Sequence, residues 1–212
     1  MILGVLTDAR ATMEAAAQRR RVWAGARIVG IWALLNLILT AALVYGTNLR
    51  AQFADLSPAV LDQLVATLRV FAPVAALLFP FLWWIGVSAL MLLAVRLFNG
   101  RTDYGLMLAI VGASCAPWVV GYALQLPAGA LQLLAGDVRW LSNVLGGVTF
   151  AVSAASLVAH VVLVAYGTRI AAGTSYRGAA ASCALTGLGC ATAGLVLVIS
   201  VLTLVFLLSG AT

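Results

Sequence analysis

The stretch RLFNGRTDYGLMLAIVGASCAP, residues 96–117, decides how this chain is read. It opens on Arg96, Asn99, Gly100, Arg101, Thr102 and Asp103, then runs uncharged through small and apolar residues to Pro117. Asn-Gly is a turn pair, so the spacing predicts a polar turn between two apolar helices. In a chain that is 64% hydrophobic and 8% charged, that concentration of polar groups marks a place where the chain leaves apolar surroundings.

Outward from this turn, composition sets the class. A mean hydropathy of +1.12 over 212 residues leaves too few charges to cover a soluble surface, and the chain reads as an all-α integral membrane protein. A helix needs about 20 apolar residues to cross roughly 30 Å of hydrocarbon. Uncharged intervals that meet this length fall at residues 28–49, 70–95, 104–126, 141–168 and 179–208. The expectation is a five-transmembrane-helix bundle over residues 28–212, preceded by a cytoplasmic segment, residues 1–27. The first interval follows Arg19, Arg20, Arg21 and Arg27, is long for a signal-peptide core and ends in no small-x-small cleavage site, so it reads as a retained span.

Orientation follows from the basic residues, which stay cytoplasmic when they lie near span ends. All 12 are Arg. With the N-terminus inside, Arg10, Arg19, Arg20, Arg21, Arg27, Arg96, Arg101, Arg169 and Arg177 fall in the cytoplasm, and only Arg50, Arg69 and Arg139 outside. The C-terminus then lies outside, in what reads as a prokaryotic inner membrane. The net charge of +6 is accounted for by this topology and by anionic lipid headgroups, and nucleic acid is excluded as a partner.

Two short helices are expected beside the spans. Leu6, Ala9, Met13 and Ala16 recur at helical spacing near the N-terminus, which predicts an amphipathic interfacial helix on the inner leaflet. On the outer side Ser57 and Pro58 form an N-cap and first-turn pair, and Leu61, Leu64, Val65 and Leu68 give the following helix one apolar face. Small residues recur every four positions at Gly147, Ala151, Ala155 and Ala159, and again at Ala179, Cys183, Gly187 and Ala191. Such rows let helix backbones approach in lipid. They are read as packing the fourth and fifth spans together, or as joining a second copy or a partner subunit.

Three blocks resemble the Yip1 domain family in its prokaryotic branch. LGVLTDARATMEAAAQRRRVWAG resembles the family's start, with Asp8 and Ala9 where Ser and Pro are usual. AVRLFNGRTDYGLMLAIVGASCAPW resembles its central signature, a polar turn and a helix carrying G-Y-x-x-x-P: Gly112 and Pro117 match, and Ala113 stands in place of Tyr. VAYGTRIAAGTSYRGAAA resembles the third block, with Gly173 and Ser175 between the last two spans. The resemblance implies a five-span fold. Eukaryotic relatives are implicated in vesicle traffic and Rab-type GTPase binding, but their D-L-Y-G motif is absent here.

Chemistry is sparse. Cys115, Cys183 and Cys190 form no C-x-x-C pair, and no phosphate loop or paired-carboxylate site occurs, so no metal and no cofactor is expected. Ser114 and His160 fall at similar depth in different spans and suggest, distantly, an intramembrane Ser/His hydrolase, without a group to hold an oxyanion. A small-solute permease or channel is the nearer alternative, though no span carries a central Asp, Glu, Lys or Arg. The leading expectation is a non-enzymatic scaffold or adaptor. Its candidate partner-binding residues are Arg96, Arg101, Asp103 and Tyr104 with Arg169, Tyr176 and Arg177, on two turns emerging on one face; its other partners are membrane lipids. A reporter active only outside the cytoplasm is expected to work when fused after Thr212 and to fail when fused between Arg96 and Asp103; the opposite pattern overturns the five-span topology.

Overall fold

A computed structural model of the chain describes residues 2–19, 21–46, 57–135 and 139–209, with the side chains of the last helix described to residue 192. Among the described residues the structure is helical: α1 (Ile2–Thr7), α2 (Ala9–Arg19), α3 (Val22–Gly46), α4 (Pro58–Leu97), α5 (Tyr104–Ser114), α6 (Ala116–Ala135), α7 (Arg139–Ala172) and α8 (Tyr176–Ser209). Four stretches are long and apolar enough to cross a membrane: Val22–Gly46, Pro58–Leu97, Tyr104–Leu131 and Trp140–Ala172. The outer half of α8, read from sequence as a bulky lipid-facing surface, lies outside the described side chains.

The third span, α5 with α6, sits at the centre. Every residue from Val111 to Pro117 is buried, and α3, α4 and α7 pack around it. Its partners come close because glycines meet there. Gly25 of α3 faces Gly112 of α5, where a Cβ on Gly112 would stand 2.6 Å from the Gly25 Cα. The Trp84 indole of α4 donates to the Leu108 carbonyl at 2.8 Å, fixing α4 to the same stretch. Towards the outer side Trp32 stacks on Trp118 with ring centres 5.7 Å apart, and Phe79 meets Trp32 edge-on. Large apolar side chains such as Phe71, Leu82, Phe150 and Val158 are exposed around the bundle and face lipid.

Prolines shape the spans, and each frees a backbone carbonyl that hydrocarbon will not solvate. Pro80 removes the N–H that would bond to Ala76, and Asn36 of α3 donates its Nδ2 to that carbonyl at 2.8 Å. Pro73 does the same to Arg69, and the Tyr45 hydroxyl of α3 donates to that carbonyl at 2.8 Å. Pro117 inside the third span leads to the expectation of a kink, and the structure goes further: the helix is interrupted at Cys115, between α5 and α6. The Trp118 N–H, which would reach Ser114 in a continuous helix, bonds instead to Cys115 at 3.0 Å. The Ser114 carbonyl is left to accept from His160 Nδ1 of α7 at 2.8 Å.

Three local expectations change. The helix that begins at Pro58 does not end before the second span: it continues as one helix of 40 residues, about 60 Å at the usual rise and roughly twice the hydrocarbon thickness. The apolar side of α2 is turned into the bundle, with Met13 fully buried and Ala16 nearly so, which leaves that stripe unavailable to the leaflet. Protein burial is available because α2 lies across the ends of α5 and α7, with the Met13 sulphur beside Gly167. Asp8 separates α1 from α2 and caps the latter by accepting the Ala11 N–H at 3.0 Å.

Removing the donor from one of these proline sites leaves a buried carbonyl unpaired, which costs about 1–3 kcal/mol. Asn36→Leu is therefore expected to lower stability in detergent by that amount, and to be nearly neutral in a Pro80→Ala background, where a helical N–H returns to Ala76. Thermal unfolding of the four proteins of this cycle reads the coupling; additive losses would show that Asn36 does not serve the Pro80 break.

Candidate functional site

The turn after α4 and the turn after α7 touch. Residues 98–103 leave α4, and Asn99 adopts the left-handed conformation at φ 58°, as an Asn-Gly turn requires. Gly100 lies against the side chains of Val95 and Thr174, the second of them from the other turn. The Arg101 N–H donates to the Ala172 carbonyl at the end of α7 at 3.3 Å. The second turn reverses at Gly173, φ 62°, and Ser175 caps α8 by accepting the Gly178 N–H at 3.1 Å. A contiguous surface results from two segments far apart in sequence.

The candidate residues divide by what they already do. Arg96, Arg101, Tyr176 and Arg177 are exposed. Arg169 is half-buried, its guanidinium 3.8 Å from the centre of the Tyr176 ring, a cation–π contact that presents the ring's outer face. Asp103 caps α5 by accepting the Leu106 N–H at 3.0 Å. Tyr104 reaches back along α4 and donates its hydroxyl to the Ile85 carbonyl at 3.2 Å. Both thus have structural work in the turn.

Sequence reading did not place α2 in this surface. Arg10 and Glu14, one helical turn apart, form an ion pair at 2.9 Å, and the Glu14 carboxylate raises the Arg10 pKa above its ordinary value through that hydrogen bond and its charge. With Tyr166, Arg169, Thr174 and Tyr176 they line an open polar cleft of about 520 Å³. The available signal was the i,i+4 pairing of opposite charges on a helix.

The small-residue rows lie elsewhere. Gly147, Ala151 and Ala155 are exposed, Ala159 and Cys183 half-buried, and Gly187 and Ala191 exposed. Nothing lies within 4 Å of a Cβ added at Gly147 or Gly187. Close approach in α7 occurs instead where Ser156 meets Gly121 and Gly167 meets Ile110.

Ser114 and His160 do meet, but not as a nucleophile and its base. The Ser114 hydroxyl donates to the Ile110 carbonyl of its own helix at 2.8 Å, and His160 bonds the Ser114 carbonyl. Such a hydroxyl is replaceable: Ser114→Ala is expected to cost about 1 kcal/mol or less, the scale of hydrogen bonds within membranes. His160→Leu leaves the carbonyl unpaired and is expected to cost about 1–3 kcal/mol, with His160→Gln, which keeps a donor, in between. Thermal unfolding in detergent ranks the three; a Ser114→Ala loss equal to that of His160→Leu would refute this division of roles.

A family model for the Yip1 domain matches residues 3–210. No curated protein and no solved structure matches the chain. With Gly112 and Pro117 of the signature at the centre of its packing and a near full-length match, this integral membrane protein belongs to the Yip1 domain family.

Proposed function

We propose that the protein is a five-span membrane scaffold or adaptor that presents its joined cytoplasmic turns to a partner protein. In this reading residues 28–212 form the membrane unit behind the cytoplasmic segment 1–27, and α8 is the fifth span: its 34 residues carry no charge after Arg177 and are long enough to cross. In the same reading the membrane is a prokaryotic inner membrane, with the N-terminus on its cytoplasmic side and the C-terminus outside, an orientation that the arginine distribution favours.

The observation that carries the proposal is the bond from the Arg101 N–H to the Ala172 carbonyl. Topology alone asks for positive charge near each span end, not for the two turns to be locked together. Locking them sets Arg96, Arg101 and Arg177 on one surface, in a fixed relation to Tyr176 stacked on Arg169. Planar guanidinium groups so arranged favour acidic partners, carboxylate or phosphate, two of whose oxygens can accept hydrogen bonds from one Arg. A permease is less well supported, since the cavity at membrane depth between α4, α7 and α8 is apolar and opens sideways.

Lys retains the charge that topology needs but not the planar fork. The Arg101→Lys, Arg177→Lys double variant is therefore expected to reach the membrane at normal levels and to recover co-purifying partners several-fold less well from mild detergent. Tyr104→Ala, which loses only an anchor to α4, is expected to leave recovery unchanged. If the double variant recovers partners as the parent does, the turns are anchors only, and the contact surface moves to the exposed row Gly147, Ala151 and Ala155.

A further inference from the structure

The sideways-opening cavity between α4, α7 and α8 has a volume of about 460 Å³, within the range of small-molecule sites. Its rim includes Val161 and Gly187, both exposed to the bilayer, and its interior includes Met91, fully buried, and His160. His160 is only 3% exposed, and it is the ionisable side chain at this wall that is not a thiol. Its Nδ1 faces a carbonyl oxygen, which only accepts, so Nδ1 carries the proton. A neutral imidazole of this tautomer offers a lone pair at Nε2, and among the described residues that nitrogen has no partner. The hydroxyl at the wall, Thr186, already donates to the Met91 sulphur at 3.1 Å, and the Trp83 indole N–H at the same wall is buried without a partner among the described residues.

We propose that this cavity binds a neutral lipid whose hydroxyl donates to His160 Nε2 while its apolar body fills the groove. A wall that offers one acceptor, His160 Nε2, and one unpaired donor, the Trp83 indole N–H, selects a hydroxyl, which can both donate and accept. Depth narrows the choice further: the register from His160 to Arg169 along α7 corresponds to roughly 13 Å at the helical rise, well below the headgroups. An ordinary phospholipid chain brings no donor to that level, because its polar groups stay at the surface. A lipid whose sole polar group is a hydroxyl reaches it at low cost, and the bilayer on which the groove opens is its source. This site is independent of the cytoplasmic surface proposed above.

The test uses the full chain in phosphatidylethanolamine–phosphatidylglycerol vesicles with two diazirine probes, a long-chain alcohol and its methyl ether. Labelling is mapped to the peptide containing Cys183 and Gly187. The alcohol is expected to label about three- to tenfold more strongly than the ether, the range of one membrane hydrogen bond, and His160→Phe is expected to bring the ratio to about one. Gly187→Phe adds a ring where nothing lies within 4 Å, leaves the His160 bond intact and is expected to abolish labelling by both probes. Equal labelling of the parent by alcohol and ether overturns the proposal, as does an alcohol preference that survives in His160→Phe. So does undiminished labelling in Gly187→Phe, whatever becomes of the His160 variant.

Discussion

A backbone carbonyl in hydrocarbon must have a donor, and the sites at Pro80 and Pro117, with a more exposed one at Pro73, set the architecture of this bundle by depriving carbonyls of theirs. At Arg69, Ala76 and Ser114 the helix's own N–H is missing or diverted, and a side chain from another helix replaces it: Tyr45, Asn36 and His160. Each replacement is a specific link between spans in a medium where apolar burial between helices gives little driving force. The first two hold α3 along α4, and the third holds α7 to the break between α5 and α6. Glycine contacts then set distance, with Gly25 on Gly112 and Gly121 on Ser156, and aromatic stacking of Trp32 on Trp118 fills the space that the break opens.

That interior order reaches the face that carries the joined turns. Because α4, α5 and α7 are fixed to one another, the turns at their ends are fixed too, and one backbone hydrogen bond suffices to join them. The α2 helix closes the same end by sinking Met13 and Ala16 into the bundle, which brings Arg10 and Glu14 beside Arg169. A charged surface assembled from three distant segments has a definite shape only because the membrane part beneath it is rigid. The family signature fits this division: Gly112 and Pro117 lie in the packing, not on the surface.

The sequence made much of this legible, for identifiable reasons. Span positions follow from long uncharged runs, the Asn99 turn from the tolerance of Asn for the left-handed conformation, and the break from Pro117, all local properties. What stayed hidden depended on which face a helix presents. Asn36 and Tyr45 are ordinary residues in an apolar run until Pro80 and Pro73 are seen opposite them. The small residues of α7 are regular in sequence, but periodicity alone does not say whether they face a helix of this chain, a second copy, a partner subunit or lipid. Met13 was placed on an apolar stripe correctly; that its burial partner is protein and not lipid is a tertiary fact. The end of the outer helix was misplaced because nothing interrupts it: Arg69 and Asp62 mark a change of surroundings, not of secondary structure.

The break at Ser114 also has a history in time. Its donor, His160, lies 46 residues later in the chain, an interval of about 2–9 s at ordinary rates of synthesis. For that period α5 and the first turns of α6 have an open carbonyl and little surface suited to lipid, since the sides of Val111 to Pro117 are destined for α3, α4 and α7, whereas Leu124 and Leu131 further along α6 stay exposed. The third span is thus a poor independent inserter, and its partners on the N-terminal side must shelter it until α7 arrives. In the first three spans taken alone, the weakest point is therefore the Ser114 carbonyl, whose partner is still to come.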